Sequence, residues 1–300
     1  MAAHRHHPPS KSAFAAALAI TVAYALVELA GGLWSGSLAL VSDAGHMFSD
    51  ALALTLAAVA AWLARRPVSG RHSYGWARAE VIGAMLNGLL MLGIIVVIVV
   101  EAVQRLLTPR PVVAAGVMAI AFVGLIINGV VALMLIGGEH DLNVRAALLH
   151  VIGDFVGSLA ALIAGAVIYF TGWLPIDPIL SLVIAGLILI TTLRLLRDAL
   201  HVLMEGVPAS VELPAIGRAL AAVPGVRAVH DLHVWSITPG QTALSAHLEV
   251  DDLAGWPRIL EAARSMLGER FGIDHVTLQP EQKGTASGAT AVVRLWPRKG

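Results

Sequence analysis

The chain has 300 residues, of which 57% are hydrophobic and only 13% are charged. A soluble domain carries roughly a quarter charged residues, so most of this chain is too apolar to be a soluble protein. The formal net charge is zero and there is no cysteine. These counts exclude disulfides, thiolate metal sites and cysteine nucleophiles, and they give no indication of nucleic acid as a partner.

Six apolar stretches are long enough to cross a bilayer, whose core takes about 20 residues of helix. They cover residues 13–33, 38–63, 79–106, 112–136, 142–170 and 175–196. Because six is an even number, both ends of this predicted transmembrane domain (residues 13–206) lie on one side of the membrane. The N-terminal tail and the second and fourth loops carry most of the basic residues, against Arg105 and Arg110 on the other side, so both termini are predicted to be cytoplasmic.

The first twelve residues and the last third of the chain are more polar. Residues 1–12, with His4, His6 and His7, are predicted to be a cytoplasmic tail. Beyond residue 206 the periodicity predicts a helix at 212–222, strands at 226–237 and 241–250, a helix at 256–271 and a strand at 275–279. The order αββαβ predicts a small α+β, ferredoxin-like cytoplasmic domain over residues 207–283, followed by a disordered tail over 284–300.

Two of the predicted spans contain the same ionisable motif. His46 and Asp50 form His-x-x-x-Asp in the second span, and His150 and Asp154 repeat it in the fifth. Residues four apart share one helix face, so two such helices facing each other would offer two imidazoles and two carboxylates, a set that suits tetrahedral zinc. One pair alone is more often a salt bridge or a packing contact. Two copies in separate spans favour a metal site, because buried charge in a membrane is costly.

Three motifs carry a resemblance to a known family. They are Ser-Asp-Ala-Gly-His-Met-x-x-Asp in the second span, Leu-Leu-His-Val-x-Gly-Asp in the fifth and His-Asp-Leu-His-Val-Trp-Ser in the soluble domain. Together with the six spans and the αββαβ order, they resemble the cation diffusion facilitator family, in particular its bacterial zinc-exporting branch. The resemblance implies a Y-shaped homodimer in the inner membrane that exchanges cytoplasmic zinc for protons by alternating access. The resemblance also implies that the protein is not an enzyme and needs no cofactor.

The resemblance also implies roles for individual residues. The transport ligands are His46, Asp50, His150 and Asp154, and relatives with histidine rather than aspartate at the position of His46 prefer zinc over cadmium. Asp43, seven residues before Asp50, either guides cations inward or braces the fold. Arg78 and Glu205 match positions that form a salt bridge between the membrane and soluble parts.

A second metal site is expected in the soluble domain, where relatives bind a structural or regulatory zinc at the dimer interface. The best matches are His233, His247 and Glu281, then His275, with His230 and Asp231 nearby. The N-terminal histidines either complete that site from the partner chain or belong to a solvated end. In the second loop His72 stands alone among arginines, so no strong metal site is expected there.

Two alternative functions remain open at this stage. Mixed nitrogen and oxygen sites bind several first-row metals, so cadmium, cobalt and nickel are further candidate substrates, and iron or manganese would define a different exporter. An intramembrane metalloenzyme is the other alternative. It is disfavoured because the sequence has no His-Glu-x-x-His or Gly-x-Ser-x-Gly motif, and because four protein ligands leave no open position for catalysis. No nucleotide-binding motif is present, which indicates an ion gradient as the energy source.

Overall fold

A computed structural model of the protein describes residues 11–66, 69–135, 142–238, 240–282 and 296–297. Within the helices and strands, the side chains of residues 11–18, 134–135, 142–147, 149–150 and 296–297 lie outside this description. The predicted N-terminal tail falls almost wholly outside it, and so do residues 284–295 and 298–300 of the predicted disordered tail.

Six long helices occupy the apolar part of the chain. Their bounds are α1 Lys11–Ser35, α2 Leu38–Ala64, α3 Ala79–Leu107, α4 Ala114–Leu135, α5 Leu142–Thr171 and α6 Ile176–Leu203. Five of them, α2 to α6, are long and apolar enough to cross a membrane, while the described apolar part of α1 is the shorter stretch Ala19–Ser35. Large apolar side chains such as Leu133, Phe170 and Leu187 are exposed along these helices, a surface that suits lipid and not water.

The chain divides into two compact units. The first contains residues 1–58 and 86–196, and the second contains residues 59–85 and 197–300. The first unit therefore holds most of the six helices. The second unit combines the end of α2, the start of α3 and the loop between them with the end of α6 and the C-terminal domain.

The C-terminal domain is built around a mixed sheet. Its elements are α7 Leu213–Ala221, β1 Val226–Thr238, β2 Gln241–Val250, α8 Trp256–Phe271, β3 His275–Gln282 and β4 Trp296–Pro297, with a short 3-10 turn at Leu253–Gly255. The strand order is β3-β2-β1-β4; β2 is antiparallel to β1 and parallel to β3. Apolar residues from α7, α8 and the strands, including Ile216, Leu248 and Leu267, form its buried core.

Together, the helical bundle and this small α+β domain confirm the predicted fold class.

Two features of the sheet differ from the predictions. Residues 296–297, expected to be disordered, pair with β1 as the short strand β4. The strand β3 continues past the expected end at Gln279 to Gln282, with Pro280 opposite Leu248. Proline is tolerated in both strands because each lies at an edge of the sheet, where one side of the backbone has no partner. Glu281 is therefore a residue within β3 and not one beyond it.

Candidate metal centres

One face of α2 carries three ionisable side chains. His46 Nδ1 lies 3.4 Å from Asp50 Oδ2, and both side chains are about one-quarter exposed, at 25% and 29%. Asp43 is buried, at 2% exposed, and lies three residues before His46, on the same side of the helix. The predicted i, i+4 pair on α2 is thus present, with both side chains partly exposed.

The matching face of α5 carries the second motif. Asp154 is 1% exposed, which makes it the more deeply buried of the two aspartates predicted as ligands. His150 lies on the same helix four residues earlier, but its side chain is outside the described part of the structure. The position of His150 is therefore known from the backbone of α5 alone.

A close contact joins α2 and α5 beside these motifs. A Cβ atom added to Gly157 would lie only 2.3 Å from Asp43 Oδ1, so the Asp43 carboxyl occupies the space that this glycine leaves. Asp43 is three residues from His46 on α2, and Gly157 is three residues from Asp154 on α5. The helix faces that carry the two motifs consequently point toward each other.

The two helices run antiparallel, which sets the level of each ligand. Leu38 N at the start of α2 donates a hydrogen bond to Asp177 Oδ2 at the start of α6, and α5 ends at Thr171, five residues before α6 begins. The C-terminal end of α5 is therefore at the same end of the bundle as the N-terminal end of α2. On α2, His46 lies three residues after Asp43, and on α5, Asp154 lies three residues before Gly157. Each ligand is therefore about 4.5 Å along its helix axis from the contact between Asp43 and Gly157.

The remaining two predicted ligands also lie at equal distances from this contact. Asp50 on α2 and His150 on α5 are each seven residues from the contact between Asp43 and Gly157, about 10.5 Å along the axis and in the same direction. All four positions thus lie within about 6 Å along the bundle axis, little more than one helical turn. The backbone register can bring the two motifs together as one four-ligand set.

Buried polar side chains support this segment from α1 and α4. The Tyr24 hydroxyl donates to Ile120 O at 3.0 Å and lies 3.3 Å from Glu28 Oε1, and the Glu28 and Asp43 carboxyl groups interact. Asn128 Nδ2 donates to Ser158 Oγ at 3.3 Å, which joins α4 to α5. Interhelical hydrogen bonds of this kind fix helices that have little hydrophobic preference for one another in lipid.

The C-terminal domain contains a second group of possible ligands on the face of its sheet away from the core. His247 Nδ1 lies 2.7 Å from Glu281 Oε1, and His230 Nε2 lies 3.0 Å from Glu281 Oε2. One ligand atom from each of the three residues lies within 4.8 Å of the others. Ligands of tetrahedral zinc are about 3.3 Å apart for bonds of about 2.0 Å, so this donor set fits a zinc ion.

The predicted ligands are only partly in this group. His247 and Glu281 belong to it, while His233 and His275 are exposed and outside it. His275 instead approaches Tyr74 of the α2–α3 loop, with the ring centroids 6.0 Å apart. His230, named only as a neighbour in the sequence, takes the third position, because β1 has a bulge between His230 and His233.

The sequence comparisons identify a family over nearly the whole chain. Residues 14–204 match the transmembrane domain of cation efflux proteins, and residues 208–283 match the cytoplasmic domain of the same proteins. The chain belongs to the cation efflux family. The predicted membership of the cation diffusion facilitators is therefore confirmed, and with it the prediction of a multi-pass membrane transporter that is not an enzyme.

Cation efflux proteins of bacteria are among the similar chains. The Zinc transporter ZitB of Escherichia coli is 41% identical over 268 residues, which cover 88% of this chain and 85% of the relative. The Cadmium, cobalt and zinc/H(+)-K(+) antiporter of Bacillus subtilis is 38% identical over 285 residues, covering 93% and 91%. A solved structure, the metal-bound C-terminal domain of the CzcD transporter from Cupriavidus metallidurans, is 37% identical and covers 24% of this chain and 99% of that domain, with a TM-score of 0.22.

The expected contact between Arg78 and Glu205 is present in this cation efflux protein. Arg78 Nη2 donates to Glu205 Oε1 at 3.0 Å, and the two side chains are 34% and 61% exposed. An ion pair this exposed adds little stability by itself. Its significance is positional, since it ties the start of α3 to the end of α6 within the second unit.

Sequence reasoning missed one functional candidate, Asp177 in the first turn of α6. Its carboxylate is fully buried and accepts hydrogen bonds from the start of α2. An aspartate in the first turn of a helix is ordinarily a local dipole partner at the surface. The only signal available in the sequence was the position of this acid at the start of an apolar span.

Proposed function

We propose that this protein exports zinc from the cytoplasm in exchange for protons, using His46, Asp50, His150 and Asp154 as the transport ligands. The observation that carries the proposal is the antiparallel register of α2 and α5, in which both motifs occur at equal distances from the contact between Asp43 and Gly157. Two carboxylates balance the double charge of the cation, which lowers the cost of taking it out of water.

The choice of zinc follows from the ligands and from the relatives. Two imidazoles and two carboxylates suit zinc, which accepts four nitrogen and oxygen ligands without a geometric preference of its own. Relatives similar over most of their length are named for zinc, and one is also named for cadmium and cobalt. We therefore infer zinc as the main substrate, with cadmium, cobalt and nickel as further substrates of the same site.

Proton exchange follows from the chemistry of the same ligands. Metal binding requires ionised carboxylates and a neutral imidazole, so protons and zinc compete for one set of atoms. Histidine is the side chain that ordinarily changes charge near neutral pH. Protons that enter from the more acidic side would displace zinc there, and the protonated site would return and release its protons into the cytoplasm, where zinc can bind again.

We further propose an orientation with both termini in the cytoplasm of a bacterial inner membrane. The loop between α2 and α3 carries exposed Arg65, Arg66 and Arg71, as cytoplasmic loops do. The two exceptions on the opposite side, Arg105 and Arg110, each lie 2.9 Å from Glu101 Oε1, so both are held in ion pairs with one carboxylate. The C-terminal domain, whose family model is named for dimerisation, is inferred to join two copies of the chain.

Zinc flux into proteoliposomes under an imposed pH gradient tests the transport proposal. We expect zinc entry to follow the size of the gradient and to stop when an ionophore dissipates it. Manganese, tested in the same assay, should enter far more slowly, because it favours ligand sets richer in oxygen. Zinc binding by the native protein without gradient-driven flux would refute proton-coupled export.

We also propose that His230, His247 and Glu281 bind a structural or regulatory zinc ion in the C-terminal domain. The three side chains are partly buried, with exposures between 12% and 32%, so a bound ion would be shielded from solvent on one side. The Asp231 carboxylate lies 3.7 Å from His230 Nδ1. It can orient the imidazole so that Nε2 faces the ion.

The ligand assignment in the C-terminal domain leads to a direct comparison of two histidines. In full-length protein that carries Asp154→Ala to silence the transport site, His230→Ala should weaken zinc binding at least about tenfold, whereas His233→Ala should leave it unchanged. Isothermal titration with zinc measures both variants. The reverse result would restore His233 as the ligand expected from the sequence.

A further inference from the structure

The buried carboxylate of Asp177 belongs to α6 but makes its hydrogen bonds to α2. Asp177 Oδ1 accepts from Ser37 Oγ at 2.6 Å and from Ala39 N at 3.3 Å, and Asp177 Oδ2 accepts from Leu38 N at 2.8 Å. Leu38 N and Ala39 N are the first backbone donors of α2, which have no partner within their own helix. A carboxylate from one helix thus caps the N-terminal end of another, where the helix dipole favours negative charge.

This interhelical cap is not needed to start α2. Ser37 already provides a local cap, because its hydroxyl oxygen accepts from Leu40 N at 3.3 Å, as serine does at many helix N-termini. Asp177 is also 0% exposed, and a carboxylate in such a place is costly unless it is fully paired. The buried carboxylate connects α2 to α6, which a local cap cannot do.

Two further segments fasten the same turn. The Arg105 guanidinium of α3 lies 3.9 Å from Asp177 Oδ2 and donates to Gly36 O. Val113 N, just before α4, donates to Ser35 O at 2.8 Å. The turn between α1 and α2 is therefore held by α3, by α6 and by the α3–α4 loop, with Asp177 as its buried anion.

We propose that Asp177 is a positioning residue for cation transport, which sets the height and rotation of α2 and so places His46 and Asp50 opposite α5. The inference rests on the proposed transport function. From Leu38 to His46 the helix runs about 12 Å as a rigid rod. A slip of one residue at the capped end would turn the ligand face by about 100° and move both ligands out of register with Asp154.

The test compares Asp177→Asn with Asp198→Asn, an exposed aspartate on the same helix. Asparagine keeps the size of the side chain but offers one acceptor oxygen where Asp177 uses two. In proteoliposomes we expect Asp177→Asn to raise the zinc KM about tenfold, in line with loss of an outer partner of a metal ligand. We also expect a changed ratio of zinc KM to cadmium KM. Asp198→Asn should match the native protein in both.

A purely structural role would give a different result. Asp177→Asn would then lower the thermal unfolding temperature and the yield of folded protein while its KM values and their ratio stayed native, and this outcome would overturn the inference. If Asp177→Asn does not fold, Ser37→Ala decides, because it removes one of the three bonds to Asp177, together with the local cap on Leu40 N, and leaves the carboxylate in place. A smaller shift in the same KM ratio supports the positioning role, and an unchanged ratio overturns it.

The native protein separates this inference from the proposed function. If native proteoliposomes show no gradient-driven zinc flux, the transport proposal fails and the role of Asp177 fails with it. If native flux is present and depends on Asp154 but Asp177→Asn has native KM values, only the positioning role fails.

Discussion

Replacing Asp154 by alanine is expected to reduce gradient-driven zinc flux by a factor on the order of 100 or more, the upper range for disturbing a metal site. Asp154 is 1% exposed on α5, so its carboxylate has little access to water and its negative charge acts on any cation held between α2 and α5. Without it, a doubly charged ion would be balanced by one carboxylate only, and desolvation would disfavour binding. A fluorescent zinc indicator inside proteoliposomes measures the initial rate.

Asp198→Ala is the matched control for this prediction. It makes the same side-chain change on an exposed site of α6, so it accounts for any general effect of losing one acid. Asp154→Asn separates charge from shape, since the amide keeps the volume of the side chain but removes the anion. Native flux in Asp154→Ala would place the cation path somewhere other than between α2 and α5.

The paired His-x-x-x-Asp spacing proposed as the transport site could be recognised in the sequence because its signal is local. His46 and Asp50 are four residues apart in an otherwise apolar span, and charged side chains at that depth are costly enough to need a function. The repeat of the spacing at Asp154 supplied the second half of the set. What the spacing could not give was the register of α2 against α5, which depends on a tertiary contact between Asp43 and Gly157.

The metal ligands of the C-terminal domain were only half predictable because of a β-bulge. Strict alternation along β1 places His233 and Asp231 on one face and His230 on the other. In the structure Val229 and Leu232 both point into the core, and Asp231 adopts a positive φ of 46°. The extra residue brings His230 onto the face of the sheet that carries His247 and Glu281. No local sequence pattern predicts such a bulge.

Asp177 was missed for a related reason. Its three hydrogen bonds reach residues about 140 positions earlier in the chain. Helix periodicity reports which residues share a face, but it contains no information on which helix a buried carboxylate will cap.

For Asp43 the sequence left guiding and bracing equally open, and burial against Gly157 now favours bracing.

Substituting Gly157 by alanine should impair transport roughly tenfold or more, although alanine is the better helix former. The new Cβ would lie 2.3 Å from Asp43 Oδ1 and 2.7 Å from its Cγ, closer than such atoms approach in real structures. Asp43 is buried, so its carboxyl group has little room to turn aside, and either this side chain or the spacing of α2 and α5 must change. Overpacking of this kind costs about 1–3 kcal/mol, and 1.4 kcal/mol already corresponds to a factor of ten. Proteoliposome flux measures the loss.

Gly153→Ala on the same helix is a stringent control for that variant. It makes the identical change four residues earlier, and no atom of the described residues outside its own helix turn lies within 4 Å of the added Cβ. Alanine should stabilise α5 there by up to about 1 kcal/mol and leave zinc flux near the native rate. Equal transport by the two variants would mean that α2 and α5 do not pack through Gly157 in the working protein.

The double variant Asp43→Ser with Gly157→Ala identifies the cause of the defect. Serine lacks both carboxylate oxygens that the new methyl group would meet, and its single hydroxyl can take a rotamer that points away from that group, so the helices can keep their native separation. Flux restored by this pair would establish that Gly157→Ala acts through spacing and that Asp43 serves mainly as a brace. Flux that stays low, in a protein whose Gly157→Ala form alone is folded, would instead assign the Asp43 carboxylate a direct part in guiding the cation to His46 and Asp154.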